Sequence, residues 1–340
     1  MCRASKGVMK AIEVERLTKR YGSARGVEDL SFSIEQGEIF GYLGPNGSGK
    51  TTTIRCLMGL LRASGGECRL LGQRVEPGRA TQHARVGYLP GEFRIWPGRT
   101  ARKSLKLLAR LGQWRGRVAR ASRPCVARPS WPRLIESEEQ GQDALATDKR
   151  QEELAERLDL DLDRRVGALS KGNRQKVGVV YAFQHQPEVL ILDEPTIGLD
   201  PLVRQVVLDL IREAAEAGAT VLLSSHDLSE VAAVCGRAAI LREGRLIELA
   251  PISQIVQKGE RRLRVWFLKG AKVPAVPAEV PAGIRVVRQN AIWLDLAYHG
   301  AADQVLKWLA RFDVERIATP DTSLEDAFIQ YYRREGSREE

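Results

Sequence analysis

Polarity along the first half of the chain changes period several times, and each change marks an element. Ala11–Arg16 and Leu30–Ile34 alternate apolar and polar residues, which predicts short strands, with turns expected at Tyr21-Gly22-Ser23 and Arg25-Gly26. Glu38–Leu43 forms an apolar strand that runs straight into a glycine-rich loop. Thr52–Leu61 takes helical spacing, and a Gly65-Gly66 turn is expected to end it. From about Thr100, the leucines at Leu105, Leu107, Leu108 and Leu111 predict a further helix. Between Gly112 and Asp148 that spacing fails. Pro124, Pro129, Pro132, many arginines and the polar run Glu136–Gln142 predict an irregular insertion there. Helical spacing returns over Gln151–Leu160.

The second half opens with two continuous apolar runs, Val189–Leu192 and Thr220–Leu223, of the kind found in parallel strands buried on both faces. A helical pattern over Val203–Ala217 joins them into a βαβ unit. Beyond Arg261, Leu263–Leu268, Ile284–Val287 and Ile292–Leu296 predict strands, while Val305–Phe312 and Leu324–Tyr332 predict helices. Proline-rich Val273–Pro281 predicts a loop. The expected organisation is one large α/β domain over 9–250 and a small α+β domain over 261–335. The large domain has a β-rich flank, a helical subdomain near 92–180 and the insertion at 112–148.

Composition narrows the class. The 340 residues are 43% hydrophobic and 28% charged, as in a globular protein with a sizeable core. No stretch approaches the roughly 20 apolar residues that cross a bilayer, and Met1–Lys10 lacks the apolar segment of a signal peptide. A cytoplasmic protein is therefore expected, with any membrane role carried by a partner. The formal charge of +10 is spread over the whole chain, so direct nucleic-acid binding is not expected. Five scattered cysteines, without CxxC pairs or metal-ligand spacing, indicate reduced thiols.

Two motifs carry chemistry. Gly44-Pro45-Asn46-Gly47-Ser48-Gly49-Lys50-Thr51 satisfies G-x-x-x-x-G-K-[ST] between a strand and a helix. Glycines let the backbone curl so that successive N–H groups face phosphate oxygens. The helix start near Thr51 adds its positive end. Lys50 supplies a mobile charge for the β- and γ-phosphates, and the Thr51 hydroxyl ligates Mg²⁺. Downstream, Val189–Leu192 ends in Asp193-Glu194. Asp193 would hold Mg²⁺ and Glu194 would polarise an attacking water.

These residues and their order resemble the ATPase subunits of ABC transporters, most closely the drug- and antibiotic-type exporter group, over residues 9–250 apart from the insertion. Asp193-Glu194-Pro195-Thr196 and Gly198-Leu199-Asp200-Pro201 are similar to the second Walker motif and the D-loop. Leu169-Ser170-Lys171-Gly172-Asn173 is similar to the ABC signature, and Ser224-Ser225-His226-Asp227 to the switch-histidine segment. The resemblance implies the P-loop NTPase fold of an ABC ATPase, with ATP and Mg²⁺ as cofactors. Nucleotide contacts are implied at Tyr21, Gly44–Thr51, Thr52, Ser170, Gly172 and Asp200, and Mg²⁺ contacts at Thr51 and Asp193. Glu194 and His226 are implied as the catalytic pair. It also implies a homodimer in which Ser170 and Gly172 meet the nucleotide of the opposite subunit. A separate transmembrane permease and a peripheral position on the inner face of the cell membrane complete the picture. Thr322–Phe328 resembles a segment near the C-terminus of the same group.

Three departures qualify the resemblance. Lys171 and Asn173 replace the usual glycine and glutamine of the signature, a variant that resembles the same exporter group. In Tyr88-Leu89-Pro90-Gly91-Glu92, Gly91 occupies the place where the family carries a metal-sensing glutamine, and Glu92 is the neighbouring carboxylate able to substitute. The 112–148 insertion is longer than usual for the group. A soluble ABC ATPase acting on ribosomes or nucleic acid, and an importer subunit, are the alternative readings. One phosphate loop and no sustained heptads speak against the first.

Overall fold

The computed structural model describes residues 9–22, 24–78, 85–120, 138–258, 261–268, 280–281, 283–298 and 302–318. Two compact units emerge, Met1–His226 with Ala233–Leu249, and Asp227–Ala232 with Ala250–Glu340.

The first unit begins with a hairpin of β1 (Lys10–Tyr21) and β2 (Ala24–Glu35). Arg25-Gly26 lies inside β2 rather than in a turn, because Arg20 pairs with Arg25 and Lys19 with Val27. After β3 (Ile39–Leu43) and α1 (Lys50–Leu57), β4 (Gly65–Leu70) pairs back onto β1, and β5 (Gln73–Arg74) closes the antiparallel sheet β2-β1-β4-β5. Gly65-Gly66 thus opens a strand and does not form the expected helix-ending turn. Register slips between the pairs Glu15–Glu67 and Thr18–Gly65. Gly66 sits at that slip with φ +76°, and a Cβ there would lie 2.2 Å from the Arg16 carbonyl, so the bulge requires glycine.

The second sheet runs β10-β9-β3-β8-β7-β6, formed by β6 (Val86–Leu89), β7 (Val189–Asp193), β8 (Thr220–Ser225), β9 (Arg237–Arg242) and β10 (Arg245–Pro251). Strands β6, β7, β8, β3 and β9 are parallel. Every residue of β7 and β8 is buried, as their unbroken apolar runs predict. Ile12, Leu17, Leu30 and Ile34 of the hairpin share a core with Phe40 of β3 and with Ile54 and Leu57 of α1. Each such side chain contributes roughly 1.5–3 kcal/mol by leaving water, so α1 and the loop before it rest on a fixed floor.

The helical part holds α2 (Ala101–Arg120), α3 (Glu138–Arg157) and α4 (Lys171–Phe183). Residues 112–120 and 138–148 are helical, contrary to the irregular insertion expected; Pro124, Pro129 and Pro132 lie outside the described residues. Apolar spacing finds only the C-terminal part of α3, from Gln151, because its N-terminal half is rich in polar residues, Glu and Gln above all. Arg102 on α2 reaches Glu152 on α3 at 2.8 Å and Asp163 at 2.9 Å, and Gln151 donates to Gln184 at 2.8 Å in a buried amide pair behind α4. Helix α5 (Pro201–Glu216) connects β7 to β8, and α6 (Leu228–Val234) follows β8.

In the second unit, after α7 (Ile252–Lys258), β11 (Arg261–Phe267), β12 (Ile284–Gln289), β13 (Trp293–Tyr298) and β14 (Val314–Ala318) form an antiparallel sheet ordered β12-β13-β11-β14. Helix α8 (Asp303–Leu309) lays Val305, Trp308 and Leu309 on Leu263, Val265, Phe267, Leu294 and Leu296. Strand β14 was not legible in the residue pattern. The helix expected over Leu324–Tyr332, and all but Val280 and Pro281 of the loop expected over Val273–Pro281, lie outside the described residues.

Candidate active site

Parallel register decides where the chemistry falls. Leu43, the last residue of β3, pairs with Ser225 of β8, and Asp193, the last of β7, pairs with Ser224. The glycine-rich loop, Glu194 and His226 therefore all leave the sheet at neighbouring carboxyl ends, where open parallel sheets bind ligands. Pro45, Asn46 and Gly47 form the exposed rim of the loop, while Gly44 and Ser48 are buried. The loop is pinned by Ser48 N–H to the Pro45 carbonyl at 3.1 Å and by Gly244 N–H to the Ser48 carbonyl at 3.0 Å. At Gly49, the N-cap of α1, φ is +104° and a Cβ would lie 2.5 Å from Val27. Glycine alone permits that turn into the helix.

Lys50 is buried, with 6% of its surface exposed, and its ammonium donates to the Gly44 and Pro45 carbonyls. It also stands 3.2 Å from Glu194 Oε1. The Thr51 hydroxyl donates to Asp193 Oδ2 at 2.8 Å, and Ser224 Oγ donates to Asp193 Oδ1 at 2.6 Å, so both oxygens of a fully buried carboxylate are held. Glu194 adopts φ +53°, a left-handed backbone that costs a non-glycine residue roughly 1–2 kcal/mol. Three contacts hold it there: Glu194 N–H to the Ser224 carbonyl at 3.1 Å, and the Gln175 amide to the carbonyls of Glu194 and Pro195 at 3.1 and 3.2 Å. Its Oε2 lies 2.7 Å from His226 Nδ1. The sharp turn thus places one carboxylate between the loop lysine and the histidine.

Two hard oxygen donors, the Thr51 hydroxyl and an Asp193 carboxylate oxygen, meet at hydrogen-bond distance, which suits a Mg²⁺ ion that takes its other ligands from phosphate and water. Among the described residues, Ser48 Oγ is buried without a hydrogen-bond partner, as a group awaiting a polar ligand would be. Both observations fit a metal–nucleotide triphosphate.

The remaining sequence-derived residues are spread around this centre. Tyr21 is 45% exposed, its hydroxyl 3.5 Å from Thr52 Oγ1 and Lys19 set over its ring, leaving an aromatic face at the rim of the loop. Ser170 caps α4 by accepting from Asn173 N–H at 3.2 Å, and the helix starts at Lys171. A Cβ on Gly172 would lie 2.6 Å from the Gly198 carbonyl, so the signature segment packs on the turn that follows β7. Asp200 caps α5 by accepting from Val203 N–H at 3.0 Å, and that bond holds its carboxyl below the usual carboxylate range. The structure does not bring Glu92 to Asp193. Its carboxylate is 76% exposed and accepts from Arg94 at 2.6 Å. Gly91 is the residue against the Asp193 carboxylate, 3.4 Å from the position its Cβ would take. Gln175 was missed in the sequence; its only signal is its place one turn into the helix that Ser170 heads. Ser224 was visible only as part of the histidine segment.

A family model described as ABC transporter matches residues 27–197, half of the chain. The chain belongs to the ABC transporter family. Among its relatives, the bacitracin transport ATP-binding protein BcrA of Bacillus licheniformis is 30% identical over 94% of this chain and 96% of its own length. The Nod factor export ATP-binding protein I of Paraburkholderia xenovorans is 35% identical over 73% of each. A solved structure of the ATP-binding subunit of an ABC transporter is 29% identical, covers 72% of this chain and 91% of its own, and superposes with a TM-score of 0.59. This ABC protein is thus an ATP-binding and ATP-hydrolysing subunit of the exporter group, as its motif order implied. Among the described residues, no helix is long and apolar enough to cross a membrane.

Proposed function

We propose that this subunit drives an exporter by closing with a second copy on two Mg-ATP molecules and hydrolysing them beneath a separate transmembrane permease. The observation that carries the catalytic part is the convergence of Lys50, Thr51, Asp193, Glu194 and His226 at three adjacent strand ends. Backbone N–H groups of Gly44–Thr51 and the Lys50 ammonium bind the phosphates, with Ser48 Oγ facing the same oxygens. Thr51 and Asp193 hold Mg²⁺, which neutralises phosphate charge when bound. Glu194 accepts the proton of the attacking water, and His226 keeps that carboxylate in line. Tyr21 stacks under the adenine, and Thr52 supports the tyrosine hydroxyl. Ser170 and Gly172 meet the partner copy's nucleotide, with Asp200 holding the adjacent turn.

Similarity to the bacitracin transport and Nod factor export proteins supports a drug- or antibiotic-type cargo, recognised by the permease and not by this chain. The subunit would then lie on the inner face of the cell membrane. Purifying the tagged chain from detergent-solubilised membranes of its host in ATP tests this reading. A polytopic membrane protein at near one-to-one ratio is expected. Ribosomal proteins or DNA with no membrane partner would overturn it.

A further inference from the structure

Glu194 holds a conformation that its own Cβ disfavours. A left-handed backbone such as its φ of +53° persists only where the surroundings over-determine it. On the amino side the constraint comes from the sheet. Asp193 is pinned through both carboxylate oxygens, and Glu194 N–H reaches the Ser224 carbonyl. On the carboxyl side the constraint comes from α4. Gln175 Nε2 donates to two consecutive carbonyls, Glu194 at 3.1 Å and Pro195 at 3.2 Å. Two facing carbonyls admit only the donor end of an amide, which fixes how that side chain is turned.

Gln175 can serve as an anchor because α4 is itself fixed. The residue is buried, with 5% of its surface exposed. Its neighbour Lys176 is also buried and donates to the Asp159 carbonyl at 3.1 Å. One turn on, a Cβ at Gly178 would lie 2.6 Å from Leu89 and 2.8 Å from Phe93, so the helix packs directly against the end of β6 and the segment after it. The Tyr181 ring lies 5.8 Å from that of Phe93.

Freed of those two bonds, the backbone after Glu194 would relax toward an ordinary conformation. The Cα–Cβ bond would then swing, and with it the carboxylate that now stands 3.2 Å from Lys50 and 2.7 Å from His226. A displacement of about 1 Å at a reacting group is enough to slow a reaction a hundredfold. We propose that Gln175 is a positioning residue for hydrolysis, holding the backbone after Glu194 so that its carboxylate stays aimed between Lys50 and His226. The assignment rests on Glu194 as the acceptor of the water's proton, and Gln175 acts only through it.

Single-turnover phosphate release and binding of a fluorescent ATP analogue, both measured on the full chain, test this. Gln175→Leu keeps the volume and removes both donors. Gln175→Asn keeps an amide that is one methylene too short for both carbonyls. Phosphate release should fall about tenfold or more in the leucine variant and by less in the asparagine variant. The analogue should bind with unchanged stoichiometry and with affinity within about threefold, because Lys50 and the loop are unaltered. A fall in stoichiometry that accounts for the whole loss of rate would make the role structural and overturn the proposal. In Glu194→Gln, adding Gln175→Leu should change the residual rate by less than about twofold, since no carboxylate is left to misplace. Losses that multiply, or release at the unaltered rate in Gln175→Leu, would overturn the proposal and leave the role of Glu194 standing. Rapid release in Glu194→Gln alone would remove the base, and the proposal with it.

Discussion

Lys50 and Glu194 form an ion pair at 3.2 Å, which sets the phosphate-binding cation directly against the carboxylate assigned to the attacking water. In the proposed mechanism, phosphate at Lys50 would compete with that pairing and free Glu194 Oε1 for the water, while Oε2 stays on His226. Glu194→Gln should therefore bind ATP with unchanged or up to about tenfold higher affinity, because Lys50 loses an internal competitor. Its phosphate release should fall by about 10³-fold. Lys50→Ala should abolish binding of a fluorescent ATP analogue. Weakened binding in Glu194→Gln would mean that the pair assists nucleotide entry and does not compete with it.

His226 touches Glu194 through Nδ1 at 2.7 Å and is half exposed, so it can be removed without opening the core. His226→Ala should lower kcat roughly 10²-fold while the KM for ATP moves less than about threefold. A steady-state titration of phosphate release separates the two. A large KM change with kcat preserved would make the histidine a nucleotide-binding group.

Geometry assigns the metal-facing position to Gly91 and removes Glu92 from it. Glu92→Ala should leave Mg²⁺-dependent turnover within about twofold of the unaltered chain, since an exposed ion pair of this kind contributes little. Gly91→Gln has room beside Asp193 and should lower the Mg²⁺ concentration for half-maximal turnover a few-fold by adding an oxygen donor. If Glu92→Ala instead demands more Mg²⁺, that carboxylate reaches the metal during turnover.

Asp200 caps α5 only as a carboxylate strong enough to hold Val203 N–H, and its folded pKa is depressed. A depressed carboxyl pKa stabilises the fold at pH values above the ordinary one, and that contribution disappears as pH falls through the folded value. Asp200→Ala should therefore melt about 2–4 °C lower at pH 7. The gap from the unaltered chain should shrink below pH 4. A gap that is constant with pH would place the effect in packing.

Strands β3, β7 and β8 and the loop were legible because their place constrains composition: β7 and β8 are buried along their whole length and carry continuous apolar runs, and Gly49 must accept φ +104°, whereas the parallel strands β6 and β9 were not predicted. The first half of helix α3 was not legible, because its polar residues give no apolar period, whereas helical spacing was legible from Gln151 onward. Strand β14, at an edge with only Val314, Ile317 and Ala318 apolar, carries too little alternation to be recognised. The site residues announced themselves through motif order, except Gln175, whose role depends on α4 meeting the turn after β7. Tertiary contact alone reveals it.

That Gln175 contact has a consequence for a pair of sites working together. Helix α4 presents Ser170 and Gly172 at its tip and, one turn along, grips the backbone of Glu194. In the proposed dimer the tip belongs to one nucleotide and the gripped turn to the other. Capture of ATP at the tip would thus adjust the water-activating carboxylate across the interface. Occupancy of the two sites would then be cooperative, and a single bound nucleotide would leave its own hydrolysis unprimed.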